Sequence, residues 1–298
     1  MAFPHIAYGT PRKIPKARSL VGRVVVLDVA FASRAGGVSF EKVTKPFIEA
    51  LGPRLAMWID HHDHERHADF AGDPRFVLRT KAEHGACPEL VTPERVRWAG
   101  AIDTVCCHVD FDGLCSAAKW IRDGVEPYPG ADDDARAIDT RLGTPSERAA
   151  VLDRALRARP RDDALKGLIV RYLSEGAGDT ALLEQFKEAS KRLLGLERES
   201  RRLATRYAVD AGVAVCDARV RDGAYDKTTL LLLGQQLAPI SVVHDETTVT
   251  AAARFDSGID LLAALGLEGG MPTRVSVAAK ELGDVLDRLR ALPALPAS

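Results

Sequence analysis

The sequence predicts an α/β protein in which a mostly parallel sheet flanked by helices is followed by a second, smaller α/β domain. Two observations support this fold class. In the first half of the chain, short apolar runs rich in β-branched residues alternate with segments of helical pattern, which is typical of a parallel sheet covered on both faces. A long amphipathic stretch then precedes a second set of short strand-like runs.

Three strands are predicted in the first half, and each is an apolar run that ends near an acidic residue or a histidine. The runs are RVVVLDVAF, LAMWID and DTVCCHVD. Ligands of open α/β sheets bind at the carboxyl ends of the strands. We therefore expect Asp28, Asp60 and His108 to converge at one edge of the sheet.

From Pro145 onward the pattern becomes helical, and residues 179–207 form one long amphipathic helix. The smaller domain is then predicted from four strands and two helices: GVAVCDARV, PISVVHD, TTVTAAARF and TRVSVAA, with GIDLLAALG and ELGDVLDRLRAL. The expected boundaries are 1–175 for the first domain, 176–208 for a helical connector and 209–298 for the small domain.

Composition limits the classes of partner. The net charge of −1 argues against a protein that tracks a long nucleic-acid backbone and is compatible with small anionic substrates. The basic N-terminal segment precedes no apolar stretch long enough for a signal sequence or a membrane span, so we expect a cytoplasmic protein without a membrane partner. The five cysteines lack CxxC spacing and are predicted to be small buried residues.

The segment HVDFDG carries the first cluster of metal-binding residue types. His108, Asp110 and Asp112 alternate, and an extended backbone would point all three side chains to one side before a helix begins at Gly113. WIDHH supplies a second cluster at another strand end. Imidazole combined with several carboxylates suits a divalent ion such as manganese or magnesium, so the sequence predicts a metal site.

WIDHH and HVDFDG resemble the hallmark motifs of the DHH phosphoesterase family, strongly over the first half of the chain and weakly over the second. The family includes RecJ-type single-strand exonucleases, oligoribonucleases, 3'-phosphoadenosine 5'-phosphate phosphatases, cyclic-dinucleotide phosphodiesterases and manganese inorganic pyrophosphatases. The resemblance implies a hydrolase with two Mn²⁺ ions in its site, Mg²⁺ being the alternative, that hydrolyses a phosphoester bond.

Carried onto this chain, the resemblance implies a set of metal ligands drawn from several segments: Asp28, His61, His108, Asp110, Asp112 and Asp139. Asp134 is the alternative to Asp139 as the last acidic ligand, and is otherwise expected in a solvated acidic loop. Either Asp28 or Asp112 would bridge the two ions.

The same resemblance implies catalytic roles for His62, Asp60 and Asp112. His62 would lie close to the metals and donate a hydrogen bond to the substrate phosphate or protonate the leaving oxygen. Asp60 would orient the histidines rather than bind metal. His64 and His67 have no counterpart in the family and are expected to be loop residues.

The chain departs from the family in its motif order and in its second domain. The family places its His-x-Asp-x-Asp segment first, whereas here it follows WIDHH, which we interpret as a circular permutation. In GLEGGMPTRVSV, Met271 follows the glycines where the family has a histidine. Substrate binding is expected from a set in this domain: Arg254, Gly269, Gly270 and Arg274. The alternative for the arginines, whose guanidinium groups suit phosphate, is an ordinary surface role.

The favoured hypothesis is a metal-dependent phosphoesterase acting on small nucleotides or very short oligonucleotides, with a homodimer as a compatible state. A RecJ-like exonuclease would need a basic channel and stacking aromatics, yet aromatic residues make up only 6% of the chain. An inorganic pyrophosphatase ranks third. From a different class, a non-catalytic nucleotide-binding protein that retains the metal site stays open because the family histidine is missing.

Overall fold

The computed structural model describes residues 3–33 and 37–293, which form two compact units. The first unit runs to Ala32 and continues over Val38–Lys191, and the second includes residues 192–293. The division falls inside the long helix Thr180–Ala204. This helix occupies most of the segment predicted as the connector.

A five-stranded, wholly parallel sheet forms the centre of the first unit, in the order β1-β5-β2-β3-β4. Every residue of β2, β3 and β5 is buried, as expected of strands covered on both faces. The edge strands β1 and β4 were not predicted, because both are short and only partly buried. The strands are β1 (His5–Tyr8), β2 (Val24–Leu27), β3 (Leu55–Asp60), β4 (Phe76–Leu78) and β5 (Thr104–Cys107).

Helices cover both faces of this sheet. Side chains of β2 alternate between two apolar clusters, with Val25 and Leu27 in one and Val24 and Val26 in the other. The fold class predicted from the sequence is therefore confirmed. The helices are α1 (Thr44–Leu51), α2 (Pro93–Ala99), α3 (Phe111–Ile121), α4 (Ala131–Thr140), α5 (Glu147–Ala158), α6 (Asp163–Ser174) and α7 (Thr180–Ala204).

The second unit contains a mixed five-stranded sheet in the order β10-β9-β8-β7-β6, in which only β7 and β8 pair in parallel. Its strands are β6 (Ala208–Asp210), β7 (Val213–Asp217), β8 (Ile240–His244), β9 (Thr248–Ala253) and β10 (Arg274–Ala278). Its helices are α8 (Lys227–Gln235), α9 (Leu261–Leu265) and α10 (Leu282–Arg290).

One local prediction is wrong, because His108, Asp110 and Asp112 do not share an extended segment. β5 already ends at Cys107, and Asp112 lies in the first turn of α3. Asp110 caps this helix by accepting a hydrogen bond from the Gly113 backbone N–H at 3.1 Å. An acceptor at this position satisfies a backbone donor that the first helical turn leaves unpaired, so the helix begins before the glycine.

Two further sequence expectations concern the whole chain. All five cysteines are free and buried, which confirms that they are small core residues. Across residues 3–33 and 37–293, each helix is too short or too polar to cross a membrane.

Candidate metal centre

The register of the parallel sheet brings three strand ends together. Leu27, the last residue of β2, aligns with Ile59 on one side and with Cys107 on the other. The residues that follow these positions are therefore neighbours at the carboxyl edge of the sheet. They are Asp28, Asp60 and His108, whose convergence the strand-end argument predicts.

Asp28 lies at the centre of this cluster. Its Oδ1 is 3.3 Å from Nε2 of His61 and 3.8 Å from Nδ1 of His62, and its Oδ2 is 3.6 Å from Nδ1 of His108. The residue is only 1% exposed, and Oδ1 has no hydrogen-bond partner among the described residues. Because a buried carboxylate oxygen without a partner is costly, this atom marks a position that favours a cation.

His61 presents one ring nitrogen to the cluster. Its Nδ1 is 2.9 Å from the backbone oxygen of His84, so Nδ1 carries the proton that is donated to this carbonyl. Nε2 is then turned toward Oδ2 of Asp112 at 3.1 Å and Oδ2 of Asp139 at 3.7 Å. A histidine fixed in this tautomer offers a lone pair to a cation among the carboxylates.

Asp60 and His62 form a separate pair beside Asp28. Nδ1 of His62 lies 2.9 Å from Oδ1 of Asp60, which is fully buried. Burial acts to raise the pKa of Asp60, but the charge of His62 and their hydrogen bond outweigh it and lower the pKa to about 2. Asp60 is therefore ionised and holds the ring of His62 by Nδ1.

His108 and Asp110 are positioned by the start of α3. Nδ1 of His108 is 2.8 Å from Oδ2 of Asp110, yet this ring nitrogen is buried without an aligned hydrogen-bond acceptor among the described residues. A Cβ atom on Gly113 would lie 2.7 Å from both Cβ and the backbone oxygen of His108. Only glycine allows this close approach between the helix and the histidine.

Asp112 is held by the start of the short 3-10 helix Cys87–Leu90. The backbone N–H of Cys87 donates to both of its carboxylate oxygens, at 3.0 and 3.2 Å. Burial raises the pKa of Asp112 and the negative charge of Asp28 raises it further, well above its usual value. Since crowding of carboxylates in low dielectric disfavours their charged forms, a cation in this place would stabilise them.

The two candidate acidic residues of α4 differ in position. Asp139 reaches the cluster, whereas Asp134 is buried and accepts hydrogen bonds from the Tyr128 hydroxyl at 2.8 Å and from the Ser146 backbone and hydroxyl at 2.6 Å. The expectation of a solvated acidic loop at Asp134 is wrong, because these bonds tie the carboxylate to neighbouring segments. The role of Asp139 as a ligand stays a prediction.

The described residues contain three sets of three side chains that could bind a metal ion. Within each set, the ligand atoms lie within 4.8 Å of one another. Asp28 belongs to two of them and His61 to two, so the sets are contiguous. Carboxylates with imidazoles are donors for hard-to-borderline divalent ions. The sets are Asp28–His61–His62, Asp28–His108–Asp110 and His61–Asp112–Asp139.

Sequence reasoning missed Lys81, which lies in the segment after β4. Its ammonium group contacts the carboxylate of Asp139 and is 3.1 Å from Nε2 of His61, and its side chain is only 2% exposed. Burial acts to lower the pKa of Lys81, but Asp139 and the other carboxylates outweigh it and raise the pKa. The only signal in the sequence was a lysine after a strand that is itself too short to predict.

His64 and His67, which follow WIDHH in the chain, have packing roles. His64 caps the short 3-10 helix Glu65–Phe70 by accepting from the Arg66 backbone N–H at 3.1 Å, and His67 lies within that helix. Both rings pack edge-on against Phe31, with centroids 5.6 and 5.2 Å away. They belong to a short helix rather than to an irregular loop.

The residues predicted to bind substrate all lie in the second unit. The guanidinium group of Arg254 makes two hydrogen bonds to Asp256, at 3.0 and 2.9 Å, and is about half exposed. Arg274 is the exposed first residue of β10. Gly269 and Gly270 have positive φ angles of 66° and 124°. Substrate binding by these residues stays a prediction.

A scan against protein-family models finds no match, and a search of curated proteins finds none. Among solved structures, the chain is similar to the pGpG-specific phosphodiesterase PggH from Vibrio cholerae, with 11% identity and a TM-score of 0.42 over 90% of this chain and 97% of that one. It is also similar to RecJ in complex with Mn²⁺ from Thermus thermophilus, with 13% identity and a TM-score of 0.46 over 85% of this chain and 44% of that one.

A third likeness is to a putative family II inorganic pyrophosphatase from Methanococcus jannaschii, with 12% identity and a TM-score of 0.23 over 99% of this chain and 100% of that one. All three TM-scores lie below 0.5. At these values the likenesses assign no activity and no residue role to this chain.

Proposed function

We propose that the protein is a divalent-metal-dependent phosphoesterase of the DHH type that hydrolyses phosphodiester or phosphomonoester bonds of small nucleotides or very short oligonucleotides. The observation that supports it best is the convergence of buried carboxylates and imidazoles around Asp28, whose Oδ1 has no hydrogen-bond partner among the described residues. Such an arrangement is unfavourable without a cation and suits a site for an anionic substrate.

The donors fit a divalent ion. Asp28, His108 and Asp110 form one set, in which Oδ1 of Asp28 is buried without a hydrogen-bond partner among the described residues and Nδ1 of His108 faces Oδ2 of Asp110 at 2.8 Å. The neighbouring set contains His61, Asp112 and Asp139. Because carboxylates are mixed with imidazoles, manganese fits these donors well and magnesium is the alternative.

A divalent ion bound here would neutralise charge on the phosphoryl oxygens and make a water molecule more nucleophilic near neutral pH. The protein's own contribution begins with His62. Asp60 holds its Nδ1 at 2.9 Å, so Nε2 is the atom left to donate a hydrogen bond to the phosphate or a proton to the leaving oxygen. Asp60 thus acts by positioning His62, and Asp112 is positioned in turn by the Cys87 backbone.

The substrate class follows from charge. A net charge of −1 does not favour binding along an extended polyanion, and a compact phosphate-bearing ligand needs only a few local cations. Arg254 and Arg274 are the proposed cations for a phosphate of that ligand, because a planar guanidinium pairs with phosphate oxygens. Gly269 and Gly270 would let the backbone approach the same ligand closely.

A second candidate is a non-catalytic nucleotide-binding protein with the same metal centre. It is favoured by Met271, which stands where a histidine is expected, and by the Arg254 guanidinium, which already pairs with Asp256. A phosphate would have to displace this carboxylate.

The test is an activity panel on protein purified without chelator and loaded with Mn²⁺. The panel contains dinucleotides, short RNA oligomers, 3'-phosphoadenosine 5'-phosphate and pyrophosphate. We expect turnover of dinucleotides that chelator abolishes and fresh Mn²⁺ restores. Inactivity on every substrate in folded, metal-loaded protein would contradict the proposal, and calorimetric binding of a dinucleotide without turnover would favour the non-catalytic candidate.

A further inference from the structure

One cation of the candidate metal centre is supplied by the chain itself. The ammonium group of Lys81 contacts the Asp139 carboxylate and lies 3.1 Å from Nε2 of His61. These two atoms belong to the set that His61 and Asp139 form with Asp112. The lysine therefore reaches the place where that set would bind an ion.

The space in this set is too small for both cations. Nε2 of His61 is 3.1 Å from Oδ2 of Asp112 and 3.7 Å from Oδ2 of Asp139. Magnesium binds its ligands at about 2.0–2.1 Å, so an ion of similar size shared by these atoms would lie within contact distance of the lysine nitrogen. Two positive charges at that separation repel each other strongly in a buried site.

The other set of donors has no such occupant among the described residues. Oδ1 of Asp28 is buried without a hydrogen-bond partner there, and Asp28 is only 1% exposed. Nδ1 of His108 faces the carboxylates of Asp110 at 2.8 Å and of Asp28 at 3.6 Å, which are the other members of its set. The two halves of the cluster thus differ. The half around Asp139 already contains the positive charge of the Lys81 ammonium group. The half around Asp28 has ligand atoms that a divalent ion could bind.

We propose that the ammonium group of Lys81 takes the place of the second divalent ion, so that the protein binds one ion per chain, held by Asp28, His108 and Asp110. This inference rests on the metal site of the proposed function and not on its activity. It also departs from the two ions that the family resemblance implies. A lysine that served only as a buried ion pair would leave the number of bound ions unchanged when it is replaced.

The test is the number of Mn²⁺ ions bound per chain, measured by calorimetric titration and by elemental analysis of desalted protein. We expect one ion in the unaltered protein. Lys81→Met keeps the length of the side chain and removes its charge, so this variant is expected to bind two. Because Nε2 of His61 in one set is only 3.3 Å from Oδ1 of Asp28 in the other, two bound ions would be close neighbours. They should therefore also produce a spin-coupled electron paramagnetic resonance spectrum that the unaltered protein lacks.

Lys119→Met is the matched control. Lys119 is another buried lysine of the first unit, whose ammonium group is 2.5 Å from Asp132 and 2.9 Å from the Pro88 oxygen. It takes no part in the metal sets, so its replacement should leave one ion bound.

Two ions in the unaltered protein, or one ion in both this protein and Lys81→Met, would overturn the inference. No ion in either would overturn the metal centre as well, so the two failures are distinguishable. If Lys81→Met does not fold, Asp139→Asn serves in its place. With the lysine present this variant should still bind one ion, and a reduced number would show that Asp139 is a metal ligand.

Discussion

At Asp28 the backbone has a φ of 60°, in the left-handed region that residues other than glycine seldom occupy. The conformation is maintained by a hydrogen bond of 2.9 Å from its N–H to the Ile59 oxygen on the neighbouring strand. Such strain costs about 1–3 kcal/mol and persists where the surrounding structure enforces it, often at functional sites. Here it directs the carboxylate between His61 and His108.

This conformation makes Asp28→Asn an informative substitution. Asparagine has the same shape and tolerates left-handed φ angles, so the variant should fold. It lacks the charge that a divalent ion requires, and we expect Mn²⁺ affinity to fall by at least about 100-fold. Calorimetry measures the affinity, and circular dichroism melting verifies the fold. Unchanged affinity in a folded variant would show that Asp28 is not a metal ligand.

His62 allows proton donation to be separated from metal binding. In His62→Gln the side chain can no longer donate a proton, and we expect turnover to fall by about 10²–10⁴-fold with the Mn²⁺ content unchanged. Steady-state rates and elemental analysis on the same sample measure both. If the metal is lost together with the activity, His62 is a ligand, as its proximity to Asp28 and His61 would then explain.

At the scale of elements, the interior strands were predictable because complete burial makes them continuous apolar runs. β2, β3 and β5 all have this pattern, and the strand-end rule then brings their following residues together. The edge strands and Lys81 were not predictable. HIAY and FVL are too short and too exposed to stand out, and a lysine beyond an unrecognised strand has no assigned place in the sheet.

The start of α3 was not predictable either, because the alternation of HVDFDG indicates an extended segment at this position. Its position depends on Gly113, where a Cβ atom would meet the His108 backbone oxygen at 2.7 Å. Gly113→Ala should therefore displace the histidine, destabilise the protein by about 1–3 kcal/mol and weaken Mn²⁺ binding. Chemical denaturation and metal titration measure the two effects.

Gly167→Ala in α6 is the matched control for this substitution. Its added Cβ would meet only the Tyr8 hydroxyl, at 3.7 Å, which is an ordinary contact. Because alanine favours a helix over glycine, this variant should gain up to about 1 kcal/mol of stability and bind Mn²⁺ normally. Equal behaviour of the two variants would mean that the contact between Gly113 and His108 does not position the metal ligand.

At the scale of the whole molecule, each unit has its own apolar clusters, whereas the metal sets found among the described residues lie in the first. All three tryptophans also belong to the first unit: Trp58, Trp98 and Trp120. An ion that binds only the folded state stabilises it by about 2.7 kcal/mol when its concentration is 100 times Kd. We expect Mn²⁺ to raise the unfolding midpoint reported by tryptophan fluorescence.

The second unit provides the contrast in the same experiment. Two of the five tyrosines, Tyr207 and Tyr225, lie there, so tyrosine absorbance and far-ultraviolet circular dichroism report both units, whereas tryptophan fluorescence reports the first alone. A transition of the second unit is the part of these signals that tryptophan fluorescence lacks. That transition should move less when Mn²⁺ is added. An equal shift at every wavelength would show that the chain unfolds as one cooperative body.

The proposed function requires both units, because Arg254 and Arg274 belong to the unit that contributes none of the proposed metal ligands. A hydrogen bond to a charged group contributes about 1.5–3 kcal/mol, so Arg254→Ala or Arg274→Ala should raise KM for a dinucleotide by about 10- to 150-fold. Metal content and kcat should change little.

Arg219→Ala is the matched control, since Arg219 is 50% exposed and pairs with Asp217 much as the 51% exposed Arg254 pairs with Asp256. If all three variants have the KM of the unaltered protein, these arginines are ordinary surface residues and recognition lies within the metal-binding unit.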